Sequence, residues 1–280
     1  MMILIADSGS TKTDWCLAEN QHSVLRFKTQ GINPYQQDEA AIRAILKNEL
    51  TPQMSENHPS RLYFYGSGCT PAKAEEVRKC LSETLGIETV EVQTDLMAAA
   101  RALCQHDKGI ACILGTGSNS CLYDGNVITA NVPPLGYILG DEGSGAVLGR
   151  CLVGNLIKGQ LPKNLKQEFM DTYHLTVADI IEHVYRQPLA NRYLAGLSLF
   201  MASHRDVEEI HHLLIDNFMA FFRRNVAHYG CPELPVNFIG GIAHQYNTEL
   251  EEAATATGFT LGTVVQSPME GMVRYHAIDE

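Results

Sequence analysis
Residues 7–13 read Asp7-Ser8-Gly9-Ser10-Thr11-Lys12-Thr13, a concentration of groups suited to holding a phosphate. Gly9 lets the backbone come close to a ligand, and Ser10, Thr11 and Thr13 add hydroxyls beside free N–H groups. Asp7 precedes them, and an acid beside a phosphate ordinarily serves Mg²⁺. Lys12-Thr13 does not complete a Walker-A loop, which needs glycine before the lysine and a helix after it. Here Thr11 precedes Lys12, and the alternation of Trp15 and Leu17 that follows is that of a strand. Taken alone, the stretch also fits an ordinary hairpin with a Ser/Gly turn.

The pattern has an echo. Residues 113–123 again give strand, Gly/Ser/Thr turn and strand, with Gly117-Ser118 standing where Gly9-Ser10 stood and Thr116 between glycines. One recurrence in 280 residues points to two related halves, since a solenoid repeats at short period. Two phosphate-binding hairpins facing each other across a cleft would clamp a nucleotide. Gly240-Gly241 follows a short apolar run and opens a helix. Glycines there admit a base or ribose to the backbone, and the helix N-terminus favours phosphate. A plain helix–strand packing pair is the competing reading.

Asp95 stands where a strand gives way to a helix. It fits an N-cap. It also fits a general base, because α/β sheets bind ligands at their C-terminal edge. A carboxylate there can take the proton from a hydroxyl attacking a γ-phosphate, worth about 10²–10⁴ in rate. Asp141, in the tight G-D-E-G-S-G turn, and Asn33, in G-I-N-P, supply the acceptor and donor mix that reads sugar hydroxyls. An Asx turn or cap is the structural alternative for Asp141, and a polar loop residue for Asn33.

These residues need elements to hold them. After the first hairpin, residues 24–29 form a third strand and residues 38–50 an amphipathic helix with Ile42, Ile45, Leu46 and Leu50 on one stripe. A strand over 62–65 leads to Thr70-Pro71, an N-cap and N1 pair opening a helix that stops at Gly86. A strand over 89–93 precedes the helix 96–104, so the first half runs βββαβαβα. In the second half, the echo hairpin and a strand over 127–130 come before helices near 145–152, 163–173, 176–186, 189–203 and 207–228. Strands over 236–239 and 260–265, with a helix over 244–257 between them, lead to a closing helix over 268–276. The expected fold class is α/β: two RNase H-like (actin-like ATPase) domains with an interdomain cleft. The N-terminal domain takes residues 1–108 plus the C-terminal helix 268–280. The C-terminal domain takes 109–267 with helical insertions.

The composition narrows the partners. A net charge of −11 argues against nucleic acid and anionic membrane, both of which need clustered cations. No segment reaches about 18 apolar residues and no basic leader opens the chain, so a cytoplasmic protein is expected. The eight cysteines form no C-x-x-C and sit mostly in apolar runs, which reads as buried reduced thiols. The eleven histidines show no metal-ligand spacing. The sequence does not fix the oligomeric state and leaves a homodimer open.

D-S-G-S-T-K-T, L-G-T-G-S-N-S, G-Y-I-L-G-D-E-G-S-G and F-I-G-G-I-A resemble, in this order, the motifs of the actin/hexokinase/Hsp70 ATPase superfamily. More narrowly they resemble the BadF/BadG/BcrA/BcrD-type ATPase family that includes N-acetylglucosamine kinase. The resemblance implies two domains closing over ATP, Mg²⁺ and a sugar, with the last helix returning to the first domain. It implies an ATP-dependent kinase for the 6-hydroxyl of an amino sugar, N-acetylglucosamine first. Carried over by position, Asp95 becomes the base, and Asn33, Thr116, Gly136 and Asp141 become sugar contacts. Asp7 would hold Mg²⁺ through water. Gly9, Ser10, Thr11, Lys12, Thr13, Gly117, Ser118, Gly240 and Gly241 would hold the nucleotide. The chain departs from the family in reading Pro133-Pro134-Leu135 where members commonly have G-G-W. That segment helps line the sugar pocket, so glucosamine, another amino sugar or glucose remain open as acceptors. The rival within the same family is an ATP-hydrolysing activator of a partner enzyme, with an iron–sulfur cluster bridging two subunits. It would have to present cysteine thiolates. Cys112 and Cys151 are the candidates, but Cys112 lies inside a strand.

Overall fold
A computed structural model of the chain describes residues 1–9, 11–19, 22–54 and 57–277. The chain divides into two compact units. One comprises Met1–Asp107, Asp124–Val127 and Ser267–Glu280, the other Lys108–Tyr123 and Ile128–Gln266.

In the first unit β1 (Met2–Ser8), β2 (Lys12–Glu19) and β3 (His22–Gln30) form an antiparallel meander. β4 (Arg61–Gly66) and β5 (Thr89–Thr94) then add in parallel beside β1, giving the order β3-β2-β1-β4-β5. Period-2 alternation divides the residues of β1 between two faces. Leu4 and Ala6 join a core with Trp15, Phe64, Val77 and Leu81. Ile3, Ile5 and Asp7 therefore face the other way, in one row beside Arg61, Tyr63 and Tyr65 of β4. The helix Pro71–Leu85 starts with proline at its first position and ends at Gly86 in the left-handed region, as its sequence signals require. Thr70 sits at the cap with extended backbone but makes no side-chain capping bond.

The helix expected over 38–50 begins at Glu39, after an Asp38 cap that accepts from the Ala41 N–H. It then departs from α geometry: Leu46–Leu50 is π-helical and Thr51–Met54 returns to α. Pro52 accounts for this. It has no N–H to give to the turn before it, and its ring crowds that turn, so bonds lengthen to five residues. The Thr51 N–H reaches the Leu46 carbonyl, and the Thr51 hydroxyl bonds the same oxygen at 3.0 Å.

The second unit repeats the sheet. β6 (Gly109–Leu114), β7 (Ser118–Tyr123) and β8 (Ile128–Ala130) form the meander, and β9 (Val236–Ile239) and β10 (Leu261–Val265) add in parallel, in the order β8-β7-β6-β9-β10. Strand for strand this matches the first sheet, so both are the RNase H-like arrangement that the echoed hairpins implied. Helices inserted between β8 and β9 build the larger core. Chief among them is Glu208–Arg224, which buries Ile210, Leu213, Leu214, Phe218, Phe221 and Phe222. Each such side chain is worth about 1.5–3 kcal/mol when fully buried. No described helix is long and apolar enough to cross a membrane.

Candidate active site
In the first unit the candidate residues gather at the C-terminal ends of β1, β4 and β5. The β1–β2 turn is tight: Ser8 pairs with Thr13, and the Gly9 N–H bonds the Lys12 carbonyl at 3.0 Å. Gly9 and Thr11 are exposed, and a Cβ on Gly9 would make only an ordinary contact with the Lys12 carbonyl, at 3.8 Å. Lys12 is exposed as well but donates to Asp14 Oδ2 at 2.6 Å. Ser10 lies outside the described residues. Thr13 is fully buried, with its hydroxyl 2.7 Å from Ser8 Oγ and 3.2 Å from the Gln30 carbonyl. Ser8 in turn exchanges hydrogen bonds with the backbone of Ile32. In the structure Thr13 therefore braces the turn, and the exposed residues of this stretch among the described ones are Gly9, Thr11 and Lys12.

Asp7 ends its row of β1 partly buried. Burial first, and then the charges of Asp95 and Asp14, push its carboxyl up to about 7 against a weaker opposing pull from Lys12. Asp95 is the first residue of the helix Asp95–Cys104, and its cap is Thr94, whose hydroxyl accepts from the Met97 N–H at 3.2 Å. The capping alternative for Asp95 thus falls to its neighbour. Asp95 Oδ1 accepts the Leu96 N–H at 2.9 Å, and burial raises its proton affinity above the ordinary carboxylate range. Two carboxylates with raised affinity stand at one sheet edge, and the charge of Asp95 helps to raise Asp7. Oxygen donors of this kind suit a hard cation such as Mg²⁺, which takes one or two carboxylates and completes its shell with phosphate and water. Among the described residues no three His, Cys, Asp or Glu side chains gather as a metal cluster.

Asn33 is buried in the loop after β3. Its Oδ1 accepts the Tyr35 N–H at 3.0 Å, an Asx turn, and its own N–H donates to Gln37 Oε1. Gly68, at φ +82° in the loop after β4, packs so closely that a Cβ there would lie 2.6 Å from Asn33 Oδ1. The structure thus brings Asn33 against the loop that follows β4.

In the second unit the candidates converge on the ends of β6 and β9. The β6–β7 turn closes with the Gly115 N–H on the Gly117 carbonyl, 2.9 Å. The start of the helix Gly145–Ile157 docks on that turn: Gly145 N–H to Gly115 O, 2.9 Å, and Ala146 N–H to Thr116 O, 3.1 Å. Ser144 caps the helix, accepting from Val147. Asp141 has φ +54°, a conformation that L side chains resist. Its carboxylate lies on the Gly117 backbone, where a Cβ would be 2.9 Å from Oδ2. It accepts from the Ser118 and Gly136 N–H groups, yet burial outweighs both and Glu142 adds to it, raising the carboxyl to about 6. Gly117, Ser118, Gly136 and Asp141 are thereby one cluster, with Thr116 in the adjoining turn. Gly240, at φ +131°, approaches the end of β6 so closely that a Cβ would overlap the Leu114 carbonyl. Gly241 begins the short helix Gly241–Gln245 and has open space about its Cα. Sequence reasoning missed Glu142, which pairs with Arg224 at 3.0 Å and faces Asn225. Its place in the G-D-E-G-S-G turn was the available signal.

The chain is similar over 99% of its length, at 53% identity and with a TM-score of 0.97, to the crystal structure of a "Putative N-acetylglucosamine Kinase" from Porphyromonas gingivalis, 99% of which is covered. The chain belongs to the N-acetylglucosamine kinase-like branch of the BadF/BadG/BcrA/BcrD-type ATPases. The crystal structure of another "Putative N-acetylglucosamine Kinase", from Chromobacterium violaceum, matches at 18% identity and a TM-score of 0.75, with 98% of both chains covered. A ROK family glucokinase from Streptomyces griseus, solved with glucose and AMPPNP, matches at 13% identity and a TM-score of 0.57, with 99% of this chain covered. At those identities the last two show a shared fold. No protein-family model matches the chain, and no curated protein does.

Proposed function
We propose that this kinase-branch member transfers the γ-phosphoryl group of Mg-ATP to the 6-hydroxyl of an amino sugar, N-acetylglucosamine first. Its branch is that of ATP-dependent carbohydrate kinases. The observation that carries the finer reading is Asp95: a carboxylate at the sheet edge, relieved of capping by Thr94, with raised proton affinity and Asp7 beside it. A general base works best when its affinity rises toward the operating pH. In this reading Asp95 takes the proton of the attacking hydroxyl. Asp7 would hold Mg²⁺, which when bound neutralises charge on the phosphates. Gly9 and Thr11 in one unit, and Gly117, Ser118, Gly240 and Gly241 in the other, offer backbone and hydroxyl donors to the nucleotide. Asn33, Thr116, Gly136 and Asp141 are assigned to the sugar. Of the two cysteines that the activator reading would use, Cys151 is half-buried on the helix Gly145–Ile157. Cys112 is fully buried within its sheet, where it cannot be presented to a partner subunit.

The test is ADP release in a coupled assay with Mg-ATP and a panel of N-acetylglucosamine, glucosamine, N-acetylmannosamine and glucose. Stimulation by an amino sugar, with a 6-phosphate product by mass spectrometry and NMR, is expected. ADP release indifferent to every sugar would refute the kinase reading and return attention to the activator.

A further inference from the structure
The row of β4 that runs beside Asp7 leads to a buried polar network that the phosphoryl-transfer reading does not use. Tyr65 pairs in register with Asp7 and is 1% exposed. Its hydroxyl receives Arg101 Nη1 at 2.7 Å and lies 2.7 Å from His276 Nε2. The guanidinium can only donate, so the Tyr65 oxygen accepts from Arg101, and a neutral His276 ring shares the other hydrogen bond of the Tyr65 hydroxyl. The environment agrees: burial, then Arg101 and His106, lower His276 to about 3. Arg101 also bonds Glu91 Oε1 at 2.6 Å, and its guanidinium lies 4.9 Å from the centre of the Tyr275 ring. The His276 ring stacks on Tyr63 at 3.6 Å between centroids. One further contact joins the two helices that carry these groups. Gly271 of Met269–His276 lies so close to Ala102 that a Cβ would overlap its carbonyl, and Gln105 Nε2 bonds the Gly271 carbonyl at 3.1 Å.

Arg101 is on the helix whose first residue is Asp95, six residues and about 9 Å along its axis. Whatever fixes Arg101 fixes that helix in both rotation and translation. We infer that Tyr65, Arg101 and His276 form a positioning device for Asp95, through which the C-terminal helix holds the proton acceptor in register with Asp7. The chemistry favours this over simple packing. An apolar contact would tolerate sliding, whereas Arg101 Nη1 donates to both Tyr65 and Glu91 while the guanidinium lies over the Tyr275 ring, and these directional contacts together restrict its placement. The device touches no reacting atom and acts only through Asp95, so the inference rests on the assignment of Asp95 as base.

Tyr65→Phe removes the shared hydroxyl and keeps the ring. A displacement of about 1 Å at a reacting group can cost about 10²-fold. The expected result is a fall in kcat of about 10- to 100-fold per folded molecule, with KM for sugar and for ATP within about twofold. His276→Gln, whose amide oxygen can accept the Tyr65 hydroxyl, should retain most of kcat, and His276→Leu should not. Asp95→Asn is run alongside. If Asp95→Asn is inactive while Tyr65→Phe turns over normally, the positioning role is refuted and the base assignment stands. If both turn over normally, the base assignment itself fails and the device has nothing to position. Equal losses in the Gln and Leu variants, tracking a smaller folded fraction by circular dichroism, would reduce the network to packing and overturn the inference.

Discussion

Asp95→Asn separates chemistry from folding because the structure sends the two effects in opposite directions. The substitution preserves shape and size. Thr94 keeps the helix capped, and the amide oxygen can still accept the Leu96 N–H that Asp95 Oδ1 accepts at 2.9 Å. What disappears is a proton acceptor at the sheet edge, expected to cost about 10²–10⁴ in kcat, or about 3–5 kcal/mol of transition-state stabilisation. Stability should move the other way. Burial holds the Asp95 proton affinity above its unfolded value, so the protonated form stabilises the fold and that advantage is lost as pH rises through the folded value. Where the carboxyl is ionised, its charge is a net burden that asparagine removes. Removing it also lowers the carboxyl of Asp7, which Asp95 helps to raise. The expected variant therefore melts at or above the temperature of the unaltered protein while losing at least about 10² in sugar-dependent ADP release. Nucleotide binding by calorimetry should be little changed. Turnover near that of the unaltered protein would remove Asp95 as base. A lower melting temperature with a proportionate loss of activity would mean that its contribution is structural.

Asp7→Ala should weaken Mg²⁺-dependent activity more than sugar binding, read as a rise in the Mg²⁺ concentration for half-maximal rate; equal loss of both would contradict its assignment. The ligand-free protein should lose stability as pH rises from about 4 through 7, because displacement of the Asp7 carboxyl from 3.8 to about 7 favours the protonated folded form by up to about 4 kcal/mol. Urea midpoints across that range, flattened in Asp7→Asn, check it. With Asp141 held at about 6 and acting as an acceptor for sugar hydroxyls, KM for the sugar should climb below pH 6, and Asp141→Asn should abolish that climb while raising KM throughout. Gly240→Ala should destabilise the second unit by about 1–3 kcal/mol, since φ +131° and the Leu114 carbonyl both oppose a Cβ; an unchanged urea midpoint would argue against it.

The sheets were readable from the sequence because their signals are local. Apolar alternation on both sides of a Gly- and Ser-rich turn specifies the first hairpin, and the recurrence of that pattern at Gly117-Ser118 gives the second unit without reference to the first. The helix caps were readable where the cap residue itself decides, as at Gly86 and Gly230, which both take the left-handed conformation. Where two neighbours compete, the pattern is silent: Thr94 and Asp95 are both good N-caps, and only the backbone shows that Thr94 takes the cap. The helix over 38–50 misled for a related reason. Its apolar stripe persists through Leu50, so periodicity extends the helix, while Pro52 acts backward on a turn that the stripe leaves unmarked.

The site residues divide along the same line. Asp141 and Gly240 stand out because each sits in a tight motif at positive φ, and Asp7 because it leads the strand into the Ser/Gly turn. Thr13 shows the limit of that logic. Its type suits a phosphate, but its direction on the strand is set by the register Ser8↔Thr13, which turns the hydroxyl inward to Ser8 and Gln30. Residue type proposes a contact, and strand parity decides whether the group is available for it. The Tyr65–Arg101–His276 network lies beyond either kind of signal, since its members come from a strand, a helix and the last turn of the chain. An arginine at mid-helix and a histidine near the end carry no motif, and their meaning appears only when β4 sets Tyr65 beside Asp7. Local patterns thus name the groups proposed to meet the ligand. The groups that hold those in place are dispersed along the chain, because anything that fixes a helix must reach it from a different element.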